Sequence, residues 1–287
     1  TEMQTSLTPN SVNHLILFTD GQTYGDEDDC LLLATLAFGD GITISGLGIG
    51  DEWNDGFLDR LTGATGGASK YIDSPGGVQK LLTDQVRGMG GTIAQRLRLY
   101  VACDSNVTLQ TAFRVSPDAQ PIPLDDSHLL RPGSLLRNGT IAVLLRFLVH
   151  PEETDGDTRP LARLGLRADV PGQGENGGRQ VVDVGVALTD QPITTLPPLT
   201  ILNALDKLTL YDMQEKAWAS AEAGDTTTAA RRLEKLASRL AANGEAGLAG
   251  AALAEADRLH QTHKLSAEGR KRIKYGTRAL IAPKSSA

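Results

Sequence analysis

Residues 14–18 form a short apolar run, His14-Leu-Ile-Leu-Phe18, which stops at Thr19-Asp20-Gly21 and opens onto an acidic helix start, Tyr24-Gly-Asp-Glu-Asp-Asp29. An apolar run of this length bounded by turn residues reads as a buried strand. Asp20 is therefore a carboxylate at the end of a buried strand. In open α/β sheets that edge, at the carboxyl ends of the strands, is where ligands and metals bind. Only a handful of polar residues precede the strand, so any partner that Asp20 needs must come from elsewhere.

The pattern after this strand alternates helix and strand. A helix is expected from about Asp26 to Phe38, with Cys30, Leu31, Leu33, Ala34 and Ala37 on its buried side, followed by a strand Ile42-Thr-Ile-Ser-Gly-Leu-Gly-Ile49. A helix Glu52 to Ala64 carrying Trp53, Phe57, Leu58 and Leu61, a short strand Lys70-Tyr-Ile72 and a helix Val78 to Val86 complete the series. Strands spaced by helices imply a parallel sheet covered on both faces, an α/β unit over residues 1–90.

From about Arg96 to Asp190 the period changes to two. Val107, Leu109, Thr111, Phe113 and Val115 alternate with polar or small residues, as do Ala162 to Val170 and Val182 to Leu188. Turn clusters at Ser116-Pro117-Asp118, Arg137-Asn-Gly139 and Pro171-Gly-Gln-Gly174 divide them, so residues 91–196 read as an antiparallel β-sandwich, with no constellation of titratable groups. Residues 197–287 are helical. Breaks at Gly224-Asp225 and Asn243-Gly244 and a further one before Ser266 mark out four helices, with Ala223 to Ala237 similar to a tetratricopeptide-type hairpin.

Charge divides unevenly along the chain. The formal net charge is -7; residues 1–74 hold twelve acidic against two basic residues, and residues 227–281 hold eleven basic against five acidic. The acidic part argues against nucleic acid, and the basic run Arg270-Lys-Arg-Ile-Lys274 has only Tyr275 beside it for stacking. No apolar run reaches the length of a membrane span, and no charged-then-apolar leader is seen. Two cysteines, Cys30 and Cys103, in regions that read as different domains point to a reducing, cytoplasmic compartment.

Leu15-Ile-Leu-Phe-Thr-Asp-Gly21, then Tyr24-Gly-Asp-Glu27, Ile42 to Gly50, Trp53-Asn-Asp-Gly-Phe-Leu58 and Thr65-Gly-Gly67 to Tyr71-Ile72 resemble, in order and spacing, the second half of a von Willebrand factor type A (VWA) domain. The resemblance covers about seventy residues. It implies a Rossmann-like fold and a Mg²⁺ bound at a metal-ion-dependent adhesion site, where an acidic residue of a protein partner completes the coordination. By this resemblance Asp20 takes the role of the site's late aspartate, with the Thr19 hydroxyl behind it. The family's Asp-x-Ser-x-Ser motif and later threonine should lie N-terminal to this strand. Neither can be placed: Asp104-Ser105 lacks the spacing, and Thr5, Ser6 and Ser11 are too few. The expectation is an N-terminally truncated piece with an incomplete metal site, an unpaired strand edge and uncovered apolar surface.

Other clusters have plainer readings. Asp26 to Asp29 in a first helical turn complement the helix dipole and cap free N–H groups, and Asp51, Glu52 and Asp55 are expected to open the next helix in the same way. If both starts face the carboxyl edge they surround Asp20 with negative potential, which favours a cationic ligand or a basic partner. Gly46-Leu-Gly-Ile-Gly50 lacks a following Gly-Lys-Ser/Thr, so close backbone packing explains it better than phosphate binding. His260 and His263 share a helix face without a carboxylate or thiol pattern nearby, and Cys30 in an apolar helix behaves as a small hydrophobe. These readings point to a non-enzymatic protein-binding module, assisted by a divalent metal. The alternatives are a scaffold that binds through its helical tail and a metal-dependent phosphatase-like hydrolase with Asp20 as nucleophile. The hydrolase needs a second carboxylate two residues on, where Gln22 stands.

Overall fold

The computed structural model describes residues 5, 7, 11–22, 24–72, 75–150, 157–170, 174–189 and 196–281. Ser6 and the turn expected at Pro171-Gly-Gln173 lie outside the described residues.

β1 (Asn13–Thr19), β2 (Ile42–Ile49) and β3 (Ser69–Ile72) form a parallel sheet in the order β1-β2-β3, with α1 (Glu27–Gly39), α2 (Asp55–Gly63) and α3 (Pro75–Gly90) as the intervening and following helices. Side chains alternate along a strand, so Ile42, Ile44, Gly46 and Gly48 share one face of β2. The glycines let α2 settle on it. A Cβ on Gly46 would lie 2.5 Å from Leu58 Cδ1, and one on Gly48 1.9 Å from Trp53 Cε2. Ala34, Ile42, Ile44, Trp53, Phe57, Leu58 and Leu61 make the core of this unit.

Two details differ from the sequence expectation. Leu33 is 60% exposed, beside exposed Leu32 and Leu36, because Ala34 and Phe38 lie four residues apart on the buried row of α1 and Leu33 falls off it. α2 starts at Asp55 rather than Glu52, because Asn54 is the cap: its side chain accepts the Phe57 N–H at 2.9 Å. Trp53 precedes the helix yet is buried, its indole N–H donating to the Gly50 carbonyl at 2.8 Å. β1 is the outer strand, pairing among the described residues with β2 alone, and Leu15 and Phe18 are exposed on it.

The middle of the chain forms two antiparallel sheets. One is β10-β9-β4-β7, from β4 (Thr92–Cys103), β7 (Leu129–Leu136), β9 (Thr158–Val170) and β10 (Gly174–Ala187); the other is β6-β5-β8, from β5 (Val107–Ser116), β6 (Gln120–Ile122) and β8 (Ala142–Val149). Val101, Leu109, Ala112, Ile122, Leu130 and Ala162 pack between them. The even alternation expected along β5 breaks at a register shift between Leu109 and Thr111. An extra residue there inverts the facing of the rest of the strand. Ala112 then joins Leu109 in the sandwich core, while Phe113 turns to Leu208 and Tyr211 of the helical region.

Four helices complete the chain: α4 (Leu199–Glu222), α5 (Thr226–Ala242), α6 (Ala246–Thr262) and α7 (Ala267–Ile281). Their core is Leu- and Ala-rich, with Leu233, Leu236, Leu240, Ala252, Leu259 and Ile273 fully buried. Gly224 and Gly244 take positive φ at the two tight turns, and the Asp225 side chain caps α5 through the Thr228 N–H at 3.0 Å. No helix among the described residues is long and apolar enough to cross a membrane.

One buried guanidinium fastens the α/β unit to the sandwich. Arg114, 4% exposed, donates to the carbonyls of Gly66 at 2.7 Å, Gly67 at 2.9 Å, Pro132 at 2.9 Å and Asp118 at 3.0 Å. Gly66 and Gly133 meet backbone to backbone beside it; a Cβ on Gly66 would stand 2.7 Å from the Gly133 Cα. Gly67 is tighter still: a Cβ there would lie only 1.8 Å from the Ile44 carbonyl oxygen. Gly67→Ala should therefore force the loop off β2, loosen the Arg114 clamp and cost about 1–3 kcal/mol, the usual scale of overpacking. Gly247→Ala, at a helical position with nothing within 4 Å, should stabilise by about 0.5–1 kcal/mol. Urea unfolding midpoints of the two variants measure both.

Candidate functional site

Asp20 is exposed at the carboxyl end of β1. The neighbouring Thr19 hydroxyl donates to the Gly21 carbonyl at 3.1 Å and so is engaged in the turn. Gln22, two residues on, lines a cleft of 430 Å³ with Asp51, Trp53 and Asn54 from the turn after β2, Asp55 from α2, and Arg270 and Lys271 from α7. The carboxyl edge of the parallel sheet and the start of the last helix thus share one concave surface.

The fit of a metal to these residues is poor. Mg²⁺ takes several oxygen ligands in an octahedron, commonly one or two carboxylates with waters. Among the described residues no three of His, Cys, Asp and Glu come together to hold a metal ion. The first-turn acids of α1 sit at the positive end of the helix dipole as expected, but the expected capping does not occur: Asp26 makes no side-chain cap, and Glu27 accepts the N–H of Gly25, which precedes the helix, at 3.1 Å. His260 sits 3.5 Å from Glu234 on the surface, while His263 ends α6 in the left-handed conformation, so the two histidines have separate neighbours. Cys30 is half-buried against the core; burial, then Asp26, Asp29 and Glu27, raise its thiol pKa and keep it protonated.

The acids at the start of α2 have a partner that reading the sequence locally does not find. Asp55 and Asp59 are four residues apart, as are Arg270, Lys274 and Arg278 on α7, and this spacing puts each set on one helix face. The two faces meet. Arg278 grips Asp59 with both nitrogens, at 2.8 and 2.6 Å; Lys274 lies 2.8 Å from Asp59 and also donates to Asp55; Arg270 bridges Asp55 and Glu222. Lys271 donates to the Asp51 carbonyl and stands 4.9 Å over the Trp53 ring. Tyr275 packs between Trp53 and Tyr71, with ring centroids 5.8 and 6.0 Å away, and shares a 3.1 Å hydrogen bond with Ser69. Lys271, Lys274 and Arg278 are each at most 5% exposed. Most of the basic run 270–274 is thus spent inside the molecule, Arg272 alone of its cations being exposed.

Burial alone would raise the Asp59 carboxyl, but Arg278 and then Lys274 hold it far below the usual range. Asp55 is lowered by Lys274 and Arg270 against the same burial. Glu215 behaves oppositely: burial raises it despite the cations around it, and its Oε1 has no hydrogen-bond partner.

A carboxylate whose folded pKa is depressed contributes stability that is complete above its unfolded pKa, about 4, and is lost as pH falls through the folded value. The α2–α7 contact should hold at neutral pH and weaken progressively below about pH 4. Asp59→Asn, which leaves Arg278 buried without its counter-charge and Lys274 with Asp55 alone, should cost about 3–5 kcal/mol at pH 7 and flatten the acid limb of stability against pH. Chemical denaturation of both proteins between pH 7 and 3 measures the two effects.

Residues 199–283 match the family model described as the Sll0103-like C-terminal alpha-helical domain. An uncharacterized protein, sll0103, of Synechocystis is 25% identical over 286 residues, covering 96% of this chain and 67% of that protein. Among solved structures, a von Willebrand factor type A protein from Catenulispora acidiphila superposes with a TM-score of 0.70 at 16% identity, covering 94% of this chain and 66% of that one. The ArnB paralog VWA2 from Sulfolobus acidocaldarius gives a TM-score of 0.44 at 12% identity over 93% of this chain and 63% of that one. The chain spans about two thirds of the length of each of these relatives. Its architecture is a VWA-like fold that ends in an Sll0103-like helical domain.

Proposed function

We propose that this chain belongs to a non-enzymatic protein-binding module whose ligand face is the carboxyl edge of the parallel sheet, working in a reducing, cytoplasmic setting. The observation that carries the reading is the placement of Asp20: an exposed carboxylate at the end of β1, two residues before Gln22, which lines a cleft that the helical domain helps to wall. The VWA-like fold supports it, since the turns at this edge are where such a sheet offers ligand-binding groups. The cleft is polar, with acids and bases interleaved, which suits a protein surface better than an apolar small molecule. Both cysteines are free.

Asp20 is proposed as one ligand of a Mg²⁺ whose other ligands come from outside the described residues, an acidic partner residue among them. Asp20 alone is too little for a site, and no step of the binding is routed through the ion. A second reading, a scaffold that binds through its helical region, draws on the family match to residues 199–283.

Titration calorimetry with Mg²⁺ on this chain should give no saturable heat that depends on Asp20; binding removed by Asp20→Ala would show a more complete site. Affinity capture with the same chain should retain a protein that Asp20→Ala releases. A captured protein indifferent to Asp20→Ala, and released instead by substitutions on exposed α5 positions such as Arg231, would favour the scaffold.

A further inference from the structure

On the sandwich, the outward positions of three neighbouring strands carry arginines in direct register. Arg179 of β10 pairs with Arg167 of β9, and Arg167 pairs with Arg98 of β4. Like charges placed opposite each other across strands are destabilising. Adjacent strands lie about 5 Å apart, so three guanidinium stems are stacked across about 10 Å of sheet. Only one end of the row is compensated: Asp169 accepts from Arg98 at 2.7 Å and also from Arg96. Arg163 is likewise taken by Asp183, at 2.6 and 3.0 Å. Arg167 and Arg179 are exposed and have no carboxylate partner among the described residues; Arg167 lies 5.8 Å over the Tyr100 ring. Five guanidiniums, Arg96, Arg98, Arg163, Arg167 and Arg179, face two carboxylates, Asp169 and Asp183.

The surface is concave as well as basic. Gly165 sits between Tyr100 and Val181 in the same registers, and with no side chain it leaves a groove of 350 Å³ that Arg167 and Arg179 border. Tyr100 and Val181 are 39% and 49% exposed on its flanks. β10 is the outer strand of this sheet, so the groove is open to approach from the side.

We propose that this groove receives an acidic segment of a partner protein, an Asp or Glu side chain entering over Gly165 and being held by the Arg167 and Arg179 forks. Guanidinium forks match carboxylates in geometry as well as charge. The flanking Tyr100 and Val181 give the adjoining apolar side chains of a peptide a place to rest. A nucleic acid fits less well: the Asp183 carboxylate stands at the far end of the groove beside Arg163, and a chain of net charge -7 repels a long polyanion. The surface belongs to a different sheet from Asp20, so it stands or falls separately from the carboxyl-edge reading.

Fluorescence anisotropy of the full chain with a labelled (Asp-Val)₄ peptide tests this, with (Asn-Val)₄ and a dT₁₂ oligonucleotide as comparison probes. The expected result is salt-sensitive binding of the acidic peptide, weakened at least about tenfold by Arg167→Gln with Arg179→Gln and unchanged by Arg258→Gln at an exposed position of α6. The double variant should unfold at the same or higher urea concentration, because it relieves like-charge pairing, so loss of binding cannot be laid to loss of fold. Absence of peptide binding, equal binding of (Asn-Val)₄, tighter binding of dT₁₂, or binding that the double variant leaves intact would each overturn the proposal.

Discussion

The ion cluster between α2 and α7 fixes how the last helix docks on the α/β unit. Asp59 meets Arg278 and Lys274 in a space where both cations are buried and the carboxylate is largely so, and charges in such a place are costly unless paired and hydrogen-bonded. The energetic return of such a cluster over an apolar one is small. What it supplies is discrimination. Sliding α7 by one residue rotates its face by about 100° and leaves two buried acids without partners. A docking mode with that penalty for every wrong register places Lys271 over Trp53 and Arg270 against Glu222, and thereby defines the wall of the cleft beside Gln22.

The same logic of close approach holds the α/β unit to the sandwich. Gly66 and Gly133 touch through their backbones, which leaves the carbonyls of Gly66, Gly67 and Pro132 converging on one planar cation. Arg114 fills it, and Gln120 adds a 2.7 Å hydrogen bond to the Gly67 carbonyl. Burial lowers the Arg114 pKa, with the nearby Asp118 acting against that shift. The three parts of the chain are therefore joined at two buried polar junctions, one of carboxylates and one of carbonyls. The apolar cores lie within the parts, except where Phe113 reaches Tyr211, its ring centroid 5.1 Å away, and where Tyr275 packs against Trp53 and Tyr71.

Much of this architecture is legible in the sequence, because periodicity reports which face of an element is buried. The strand at Ile42–Ile49, the glycine packing at Gly46 and Gly48, and the helix breaks at Gly224 and Gly244 are all local signals with local causes. Local signals fail where a distant residue decides the outcome. Asp55 reads locally as a helix-start acid, and it is one, but its partner Lys274 lies more than two hundred residues away. The clue available is the shared four-residue spacing of Asp55, Asp59 and of Arg270, Lys274, Arg278 together with the opposite charge of the two ends of the chain. Even alternation puts Phe113 on the wrong side of β5, because a bulge carries no reliable signature in composition. The arginine row is present as the outward positions of the very alternation that reveals β9. Its meaning depends on register with β4 and β10, which periodicity within one strand does not give.

The occupied state of the α2 acids also alters the electrostatics of the carboxyl edge. Taken from sequence, Asp51, Glu52 and Asp55 crowd that edge with negative charge and favour a cationic visitor. In the folded chain Asp55 is neutralised by Lys274 and Arg270, and Lys271 is drawn to the Asp51 carbonyl, so two cations now border the cleft beside Gln22. The rim of this cleft is therefore mixed in sign, with Arg270 and Lys271 set among Asp51 and Asp55, where the sequence alone suggests a run of acids. The docking of α7 and the electrostatics of this edge are thus one problem: the helix that packs against α2 also supplies the cations that line the cleft beside Gln22.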